Sequence, residues 1–165
     1  MPAWLIPVVV LSASPAQQAL APAAPVELDH IVSTVNATKI WKSDVRQARM
    51  LKLCGPDVTQ DDAVLTELQN RALILAEMTR AQPYEPTADA LAARRREWEG
   101  SLGTTEIDKL LARAGMNARE VEAWLRSDLR IQRFLSDRFS ALPPDQRAAR
   151  QRDWIRDLRQ RAGLR

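Results

Sequence analysis

The side chains that most often carry chemistry are few in this chain. Cys54 is the single cysteine and His30 the single histidine among the 165 residues. One cysteine excludes an internal disulfide and a multi-cysteine zinc site, and one imidazole cannot supply the paired histidines of many metal sites. Cys54 fits a small buried apolar residue at a helix end, with a reactive or intermolecular thiol as the alternative. We interpret His30 as structural, because it stands at the start of a predicted strand.

Carboxylates are plentiful, but their spacing does not indicate acid–base catalysis. We expect the following helical carboxylates to face solvent: Glu67, Glu77, Glu97, Glu106, Glu120 and Asp128. None has a second acid beside it on an apolar face, as general acid–base chemistry requires. The five glycines are isolated, and none precedes the Lys-Ser/Thr pair of a phosphate-binding loop. The sequence therefore predicts neither a cofactor nor a metal, and catalysis is the less favoured alternative.

A short segment after the uncharged start of the chain gives the strongest local structural pattern. Residues 30–35 predict a strand, 36–38 a turn and 39–41 a return strand, with Ser43 as the N-cap of the helix that follows. Asn36 suits the turn because asparagine tolerates a positive φ, and it needs no chemical role there. The segment thus predicts a small β-hairpin that leads directly into a helix.

The rest of the sequence predicts further helices, each with its own start and stop residues. The first helix covers residues 43–54. Later helices begin at the capping residues Thr59, Thr87, Thr104 or Thr105, and Asn117 with Glu120. Helices end at the breakers Gly55-Pro56, Gly103, Gly115, Pro143-Pro144 and Gly163, the last of these at the C′ position.

Apolar periodicity predicts which helix faces are buried. The second helix carries one stripe for about five turns: Val64, Leu65, Leu68, Ala72, Leu75 and Met78. The last helix, within residues 145–163, has one apolar side: Ala148, Ile155, Leu158 and Ala162. The predicted fold is mostly α, with about six helices and a small N-terminal β-hairpin, and the apolar side of the last helix predicts that it docks on the rest of the domain.

Residues 1–25 have the composition of a secretory leader. They carry no charged side chain, and the apolar run at residues 4–13 is shorter than the roughly 20 residues that span a bilayer. The n-region lacks lysine and arginine, so a disordered cytosolic leader is the alternative. We expect a periplasmic or otherwise exported protein whose residues 26–165 form a single domain.

The charge balance does not favour nucleic acid as a partner. Lys+Arg number 24 and Asp+Glu 21, a net charge of +3. Arginines are concentrated in the last helix, but aspartates alternate with them, so we interpret this surface as the solvated side of a docked helix. Contact with nucleic acid or an anionic membrane is the alternative.

The order of motifs resembles a known family. The pattern D-x-I-V-x-x-V-N-x-x-x-I-x-x-S-D-V is carried by Asp29, Ile31, Val32, Val35, Asn36, Ile40, Ser43, Asp44 and Val45. Weaker matches follow in LTELQNRALILAEM, at Asp89, at Gly115, Leu125, Arg126 and Leu129, and in the tail WIRDLRQRAGLR. Over residues 27–165 the chain resembles the SurA N-terminal domain family, periplasmic chaperones of unfolded outer-membrane proteins.

This resemblance implies a C-terminal helix that packs back on the N-terminal part. It also implies an ATP-independent chaperone that holds extended polypeptides in an apolar groove between a helix pair and the returning terminal helix. Candidate groove residues, each of which has plain core packing as its alternative, are Met50, Met78, Trp98, Leu102, Met116 and Trp124. The parvulin domain of isomerase members is missing, so we expect no prolyl isomerase activity. A non-catalytic adaptor of the cell envelope that binds one folded partner is the rival hypothesis, and a homodimer is left open.

Overall fold

The computed structural model describes residues 28–79, 84–104 and 106–164. In these ranges the chain forms one two-stranded antiparallel sheet followed by six helices. The predicted mostly helical fold is therefore confirmed. The predicted leader, residues 1–25, and the alternative cap Thr105 lie outside the described residues. No helix in the described ranges is long and apolar enough to cross a membrane.

The hairpin consists of strands β1 (Ile31–Val35) and β2 (Thr38–Trp41). Asn36 has a φ of +52°, which confirms its role in the turn. Thr38 pairs with Val35, so the loop has only residues 36 and 37 and Thr38 belongs to the strand rather than to the turn. Val35 and Ile40 are buried, and they attach the hairpin to the core.

Helix α1 (Lys42–Met50) begins directly after β2, and its N-terminus differs from the prediction. Ser43 is not the N-cap, because it is already the second helical residue. Its backbone N–H and its hydroxyl both donate to the carboxylate of Asp29, the N–H at 3.0 Å. The hairpin brings Asp29 back beside the helix start, so a residue 14 positions earlier caps the helix.

Helix α1 also ends earlier than predicted, at Met50 instead of residue 54. Lys52 takes a left-handed conformation with a φ of +50°. Its N–H donates to the Arg49 carbonyl at 3.2 Å, and the Leu53 N–H donates to the Ala48 carbonyl at 2.9 Å. These two bonds form a Schellman motif with lysine where glycine is usual. The chain turns here, and Leu53 enters the core.

The remaining helices are α2 (Asp61–Met78), α3 (Ala88–Leu102), α4 (Ile107–Ala114), α5 (Ala118–Arg138) and α6 (Pro144–Arg161). The predicted caps at Thr87 and at Asn117 with Glu120 are confirmed by their hydrogen bonds. Gly163 has a φ of +69° after α6, as predicted. Two caps are displaced, since α2 follows Gln60 instead of Thr59 and α4 follows Glu106 instead of Thr104.

The core lies where the hairpin and all six helices meet, and α2 runs through it. Its largest fully buried side chains are Val64 of α2, Leu51 after α1, Val35 of β1 and Leu125 of α5. The predicted α2 stripe is correct for Val64 and Leu68, but Leu73 and Ile74 on another side are buried as well. A central helix is covered on more than one face, so a single stripe underestimates its burial.

Helix α6 returns to pack on α2, as predicted. The Leu158 side chain is 4% exposed within the core cluster. The Arg159 guanidinium donates to the side-chain oxygens of Gln69 and Asn70 on α2, each at 3.1 Å. Ala148, predicted on the buried side, is exposed because only the C-terminal half of α6 meets α2.

Candidate functional site

A cavity of about 620 Å³ lies between β2, α1, α2 and the start of α5. Helix α2 forms one apolar wall with Leu68, Ala72, Leu75 and Ala76. The other apolar residues of the lining are Ala37, Ile40, Ala48, Leu53, Met116 and Trp124. The core does not fill this space, although Leu68, Ala72 and Leu75 beside it belong to the stripe that periodicity predicts as buried. The cavity is therefore an apolar surface without a protein partner in the described part of the chain.

The cavity follows the outer edge of the hairpin. Residues 36–40 line it consecutively, which includes side chains from both faces of β2, whereas no residue of β1 lines it. A cavity over one face of the sheet would contact alternate residues of both strands. The lining therefore places the cavity beside the free edge of β2.

The cavity lining also includes polar and charged side chains. Asp44 accepts from the Trp41 N–H at 2.8 Å, and Gln47 donates to the Gly115 carbonyl at 3.5 Å. Lys39 is exposed at the rim, and within residues 28–79, 84–104 and 106–164 its ammonium has no ion-pair partner. The other cation of the lining, Arg71, pairs with Asp128.

A half-buried cluster of four side chains lies behind the cavity: Arg71, Trp124, Asp128 and Arg94. The Arg71 guanidinium lies 3.9 Å from the centre of the Trp124 ring, donates to the Trp124 carbonyl at 3.1 Å, and pairs with Asp128. Arg94 also reaches Asp128, at 3.4 Å. The predicted solvent-facing position of Asp128 is wrong, because its side chain is 14% exposed and lies between two arginines. The cluster fixes the orientation of Trp124.

A second cavity of about 300 Å³ lies between α2, α5 and α6. The sequence predicted a groove between the α4–α5 pair and α6, so this cavity shares α5 and α6 with that prediction, but no residue of α4 lines it. Its lining is more polar and includes Glu67, Asn70, Gln132 and Gln151. Cys54 also lines it, and burial raises the pKa of its thiol to about 11. The thiol is therefore protonated at neutral pH, which favours the packing role over a reactive one.

The candidate groove residues divide into three groups. Met116 and Trp124 line the large cavity, and Trp124 also lines the second one. Trp98 is 4% exposed in the core, where its indole N–H donates to the Leu51 carbonyl at 2.8 Å. Met50, Leu102 and Met78 are partly buried and line neither cavity.

Sequence reasoning missed part of the cavity lining. Leu75 and Ala72 were assigned to the predicted core stripe of α2, and Lys39 was treated as an ordinary strand residue. The pattern that could have identified Ala72 and Leu75 is the length of the α2 stripe, because α2 has 18 residues and the neighbouring α1 only 9. Among the described residues no group of His, Cys, Asp and Glu side chains could hold a metal ion.

Comparison with known proteins adds no identification. No protein family, curated protein or solved structure matches this chain. The resemblance to the SurA N-terminal domain therefore stays a prediction from the motif order.

Proposed function

We propose that the protein binds extended, unfolded polypeptides in the large apolar cavity and acts as an ATP-independent chaperone for exported proteins. The observation that carries the proposal is the unfilled space of about 620 Å³ beside the hairpin. Its volume lies within the roughly 300–1,000 Å³ of typical ligand sites, and its walls are apolar. Burying one leucine side chain of a client there contributes about 2 kcal/mol, which gives weak and reversible binding.

The composition of the wall suits clients of varied sequence. Met116 is unbranched and polarizable, so it adapts to side chains of different shape. Trp124 offers a flat aromatic surface held in place by Arg71. Release by dissociation needs no nucleotide, which agrees with a sequence that has no phosphate-binding glycine loop.

The proposed compartment and clients rest on the sequence. Residues 1–25 have the composition of a secretory leader, and the motif order resembles periplasmic chaperones of outer-membrane proteins. Nucleic acid is a poor candidate, because aspartates such as Asp153, which pairs with Arg156, reduce the positive charge of the arginine-rich last helix.

The test fills the cavity from within. Ala76 is exposed on the cavity wall, so Ala76→Phe would place a ring in the space that a client occupies. We expect the affinity for a fluorescent unfolded peptide to fall at least tenfold, and we expect this variant to lose the ability to slow aggregation of an unfolded outer-membrane protein without ATP. The matched control is Ala93→Phe on an exposed position of α3 that lines neither cavity. Equal affinity of both variants and the wild type would refute the proposal.

An adaptor role is favoured by one other surface. Ile31 and Trp41 pair across the open end of the hairpin and are 41% and 38% exposed, and the neighbouring Leu28 is 82% exposed. Such a patch suits a folded protein partner. A one-to-one complex that Ala76→Phe preserves and Trp41→Ala abolishes would support the adaptor in place of the chaperone.

A further inference from the structure

We propose that the bound polypeptide adds to the outer edge of β2 as a third strand, with apolar side chains at alternate positions and a carboxylate next to Lys39. This inference rests on the proposed function and specifies the ligand class of the same cavity. It makes two claims that can be tested separately, one about backbone hydrogen bonds and one about charge.

The first claim follows from the edge of the sheet. The sheet of the described residues has two strands, so β2 has a partner on one side and the cavity on the other. A strand edge presents unpaired N–H and C=O groups that can pair with an extended chain. The cavity supplies room for that chain and apolar contacts for its side chains.

The register identifies the groups available for pairing. Val35 pairs with Thr38 across the two-residue loop, and Thr34 pairs with Lys39. In an antiparallel ladder, hydrogen-bonded and non-hydrogen-bonded pairs alternate, and the pair that closes a two-residue loop is hydrogen-bonded. The N–H and C=O of Lys39 therefore point away from β1. No backbone hydrogen bond outside the hairpin engages them in the described part of the chain.

An added strand would place its side chains on two opposite sides. Successive side chains of a strand point to opposite faces, so every second residue would face the α2 wall formed by Leu68, Ala72 and Leu75. The intervening residues would face solvent. The cavity thus selects for alternating apolar residues and tolerates variety between them.

Charge complementarity gives the second claim. Two charged side chains of the lining have no ion-pair partner among the described residues: Lys39, and Asp44, whose carboxylate accepts the Trp41 N–H at the start of α1. Because Arg71 pairs with Asp128, Lys39 is the cation of the lining that a carboxylate of the client can approach. A client with a glutamate, aspartate or terminal carboxylate at that point gains an attraction, which is modest because the site is exposed and salt screens it.

The backbone claim is tested with chemically modified peptides and the unmodified full chain. The probe is a fluorescent nine-residue peptide with leucine or valine at alternate positions and one glutamate. Two isomers carry backbone N-methyl groups, one at the odd and one at the even positions. We expect one isomer to bind at least tenfold more weakly and the other to bind within threefold of the parent, because only one set of amides faces β2. Equal affinities of the two isomers would overturn the strand addition, whether both bind as tightly as the parent peptide or both bind more weakly.

The outcome separates this inference from the proposed function. If the unmethylated peptide binds and both isomers behave alike, the cavity binds polypeptide by side chains alone and only the strand mode is wrong. If the unmethylated peptide does not bind the protein at all, the proposed function itself is wrong.

The charge claim is tested by reversing one charge in the peptide and one charge in the protein. At 50 mM salt we expect the wild type to bind the glutamate peptide about threefold more tightly than its lysine counterpart. Lys39→Glu should reverse that preference, whereas the control Lys109→Glu, an exposed residue of α4 that lines neither cavity, should keep it. An unchanged preference in Lys39→Glu would contradict the assigned position of the carboxylate.

Discussion

Asp29 connects the segment before the hairpin to the start of α1. Its carboxylate accepts the hydroxyl and the N–H of Ser43, and also the N–H of His30. These hydrogen bonds hold the pKa of Asp29 below its ordinary value of 3.8, and the bond from the Ser43 hydroxyl contributes most to this shift. A carboxyl with a lowered pKa in the folded state stabilises the fold above its unfolded-state pKa, and this contribution is lost as the pH falls through the folded-state value.

Asp29→Asn tests this contribution. We expect the variant to be less stable than the wild type at pH 6, with the difference shrinking as the pH falls below 3.8 and vanishing once Asp29 is protonated in the folded wild type as well. Urea unfolding between pH 2 and pH 6 measures it. The control is Asp57→Asn, at an exposed carboxyl of the loop before α2, and its stability should change with pH in the same way as that of the wild type. A constant stability difference across the pH range would contradict the role of Asp29.

The half-buried pair of Arg71 and Asp128 makes a second prediction at the residue scale. Removing the carboxylate leaves Arg71 without an ion-pair partner and next to Arg94, so Asp128→Leu should lower the free energy of unfolding by about 3 kcal/mol. Replacing both partners, Arg71→Met with Asp128→Leu, should cost less than that single change, because no uncompensated Arg71 charge remains. Urea denaturation of Asp128→Leu, Arg71→Met and the double variant gives the coupling. Additive losses would show that the two groups act independently.

At the scale of elements, the end of α1 carries a lysine in a conformation that favours glycine. Lys52 has a φ of +50°, and its ammonium donates to the Ser101 carbonyl at 2.8 Å. Lys52→Ala removes that hydrogen bond and keeps the unfavourable conformation, whereas Lys52→Gly removes both. We therefore expect Lys52→Gly to be more stable than Lys52→Ala by about 1 kcal/mol in urea unfolding. The opposite order would mean that the left-handed turn is absent in solution.

The docking of α6 gives a second prediction at this scale. Leu158 inserts into the core cluster with 4% of its side chain exposed, so Leu158→Ala should destabilise the protein by about 3 kcal/mol. Arg150→Ala, at an exposed position of the same helix, should change stability by less than about 0.5 kcal/mol. Thermal and urea unfolding check both variants. Equal effects would show that α6 does not pack on α2.

Elements were more predictable from the sequence than the contacts between them. Asn36, Thr87, Asn117 and Gly163 fix local backbone conformations by their own chemistry, and each was assigned correctly. The cap that Asp29 supplies depends on the hairpin folding back, which local propensity does not report. The ion pair between Arg71 and Asp128 likewise joins residues 57 positions apart.

At the scale of the whole molecule, the mostly helical fold with an N-terminal hairpin and a returning terminal helix followed from the order of motifs. The cavity did not, because periodicity predicts that a face is apolar and not what covers it. The stripe of α2 was assigned to the core throughout, whereas Ala72 and Leu75 face unfilled space. Trp98 was the reverse case, a candidate groove residue that the fold buries.

The central claim is that an unfolded polypeptide occupies the cavity between β2 and α2, and an NMR titration of the wild-type protein tests it most directly. The protein has natural probes inside and outside the cavity. Trp124 and Leu75 line the cavity, whereas Trp154 packs against Phe134 and Phe139 away from it. We predict that the peptide shifts the Trp124 indole and Leu75 methyl signals in a saturable way and leaves the Trp154 indole signal in place. A saturable shift at Trp154 with unchanged signals at Trp124 and Leu75 would contradict the account.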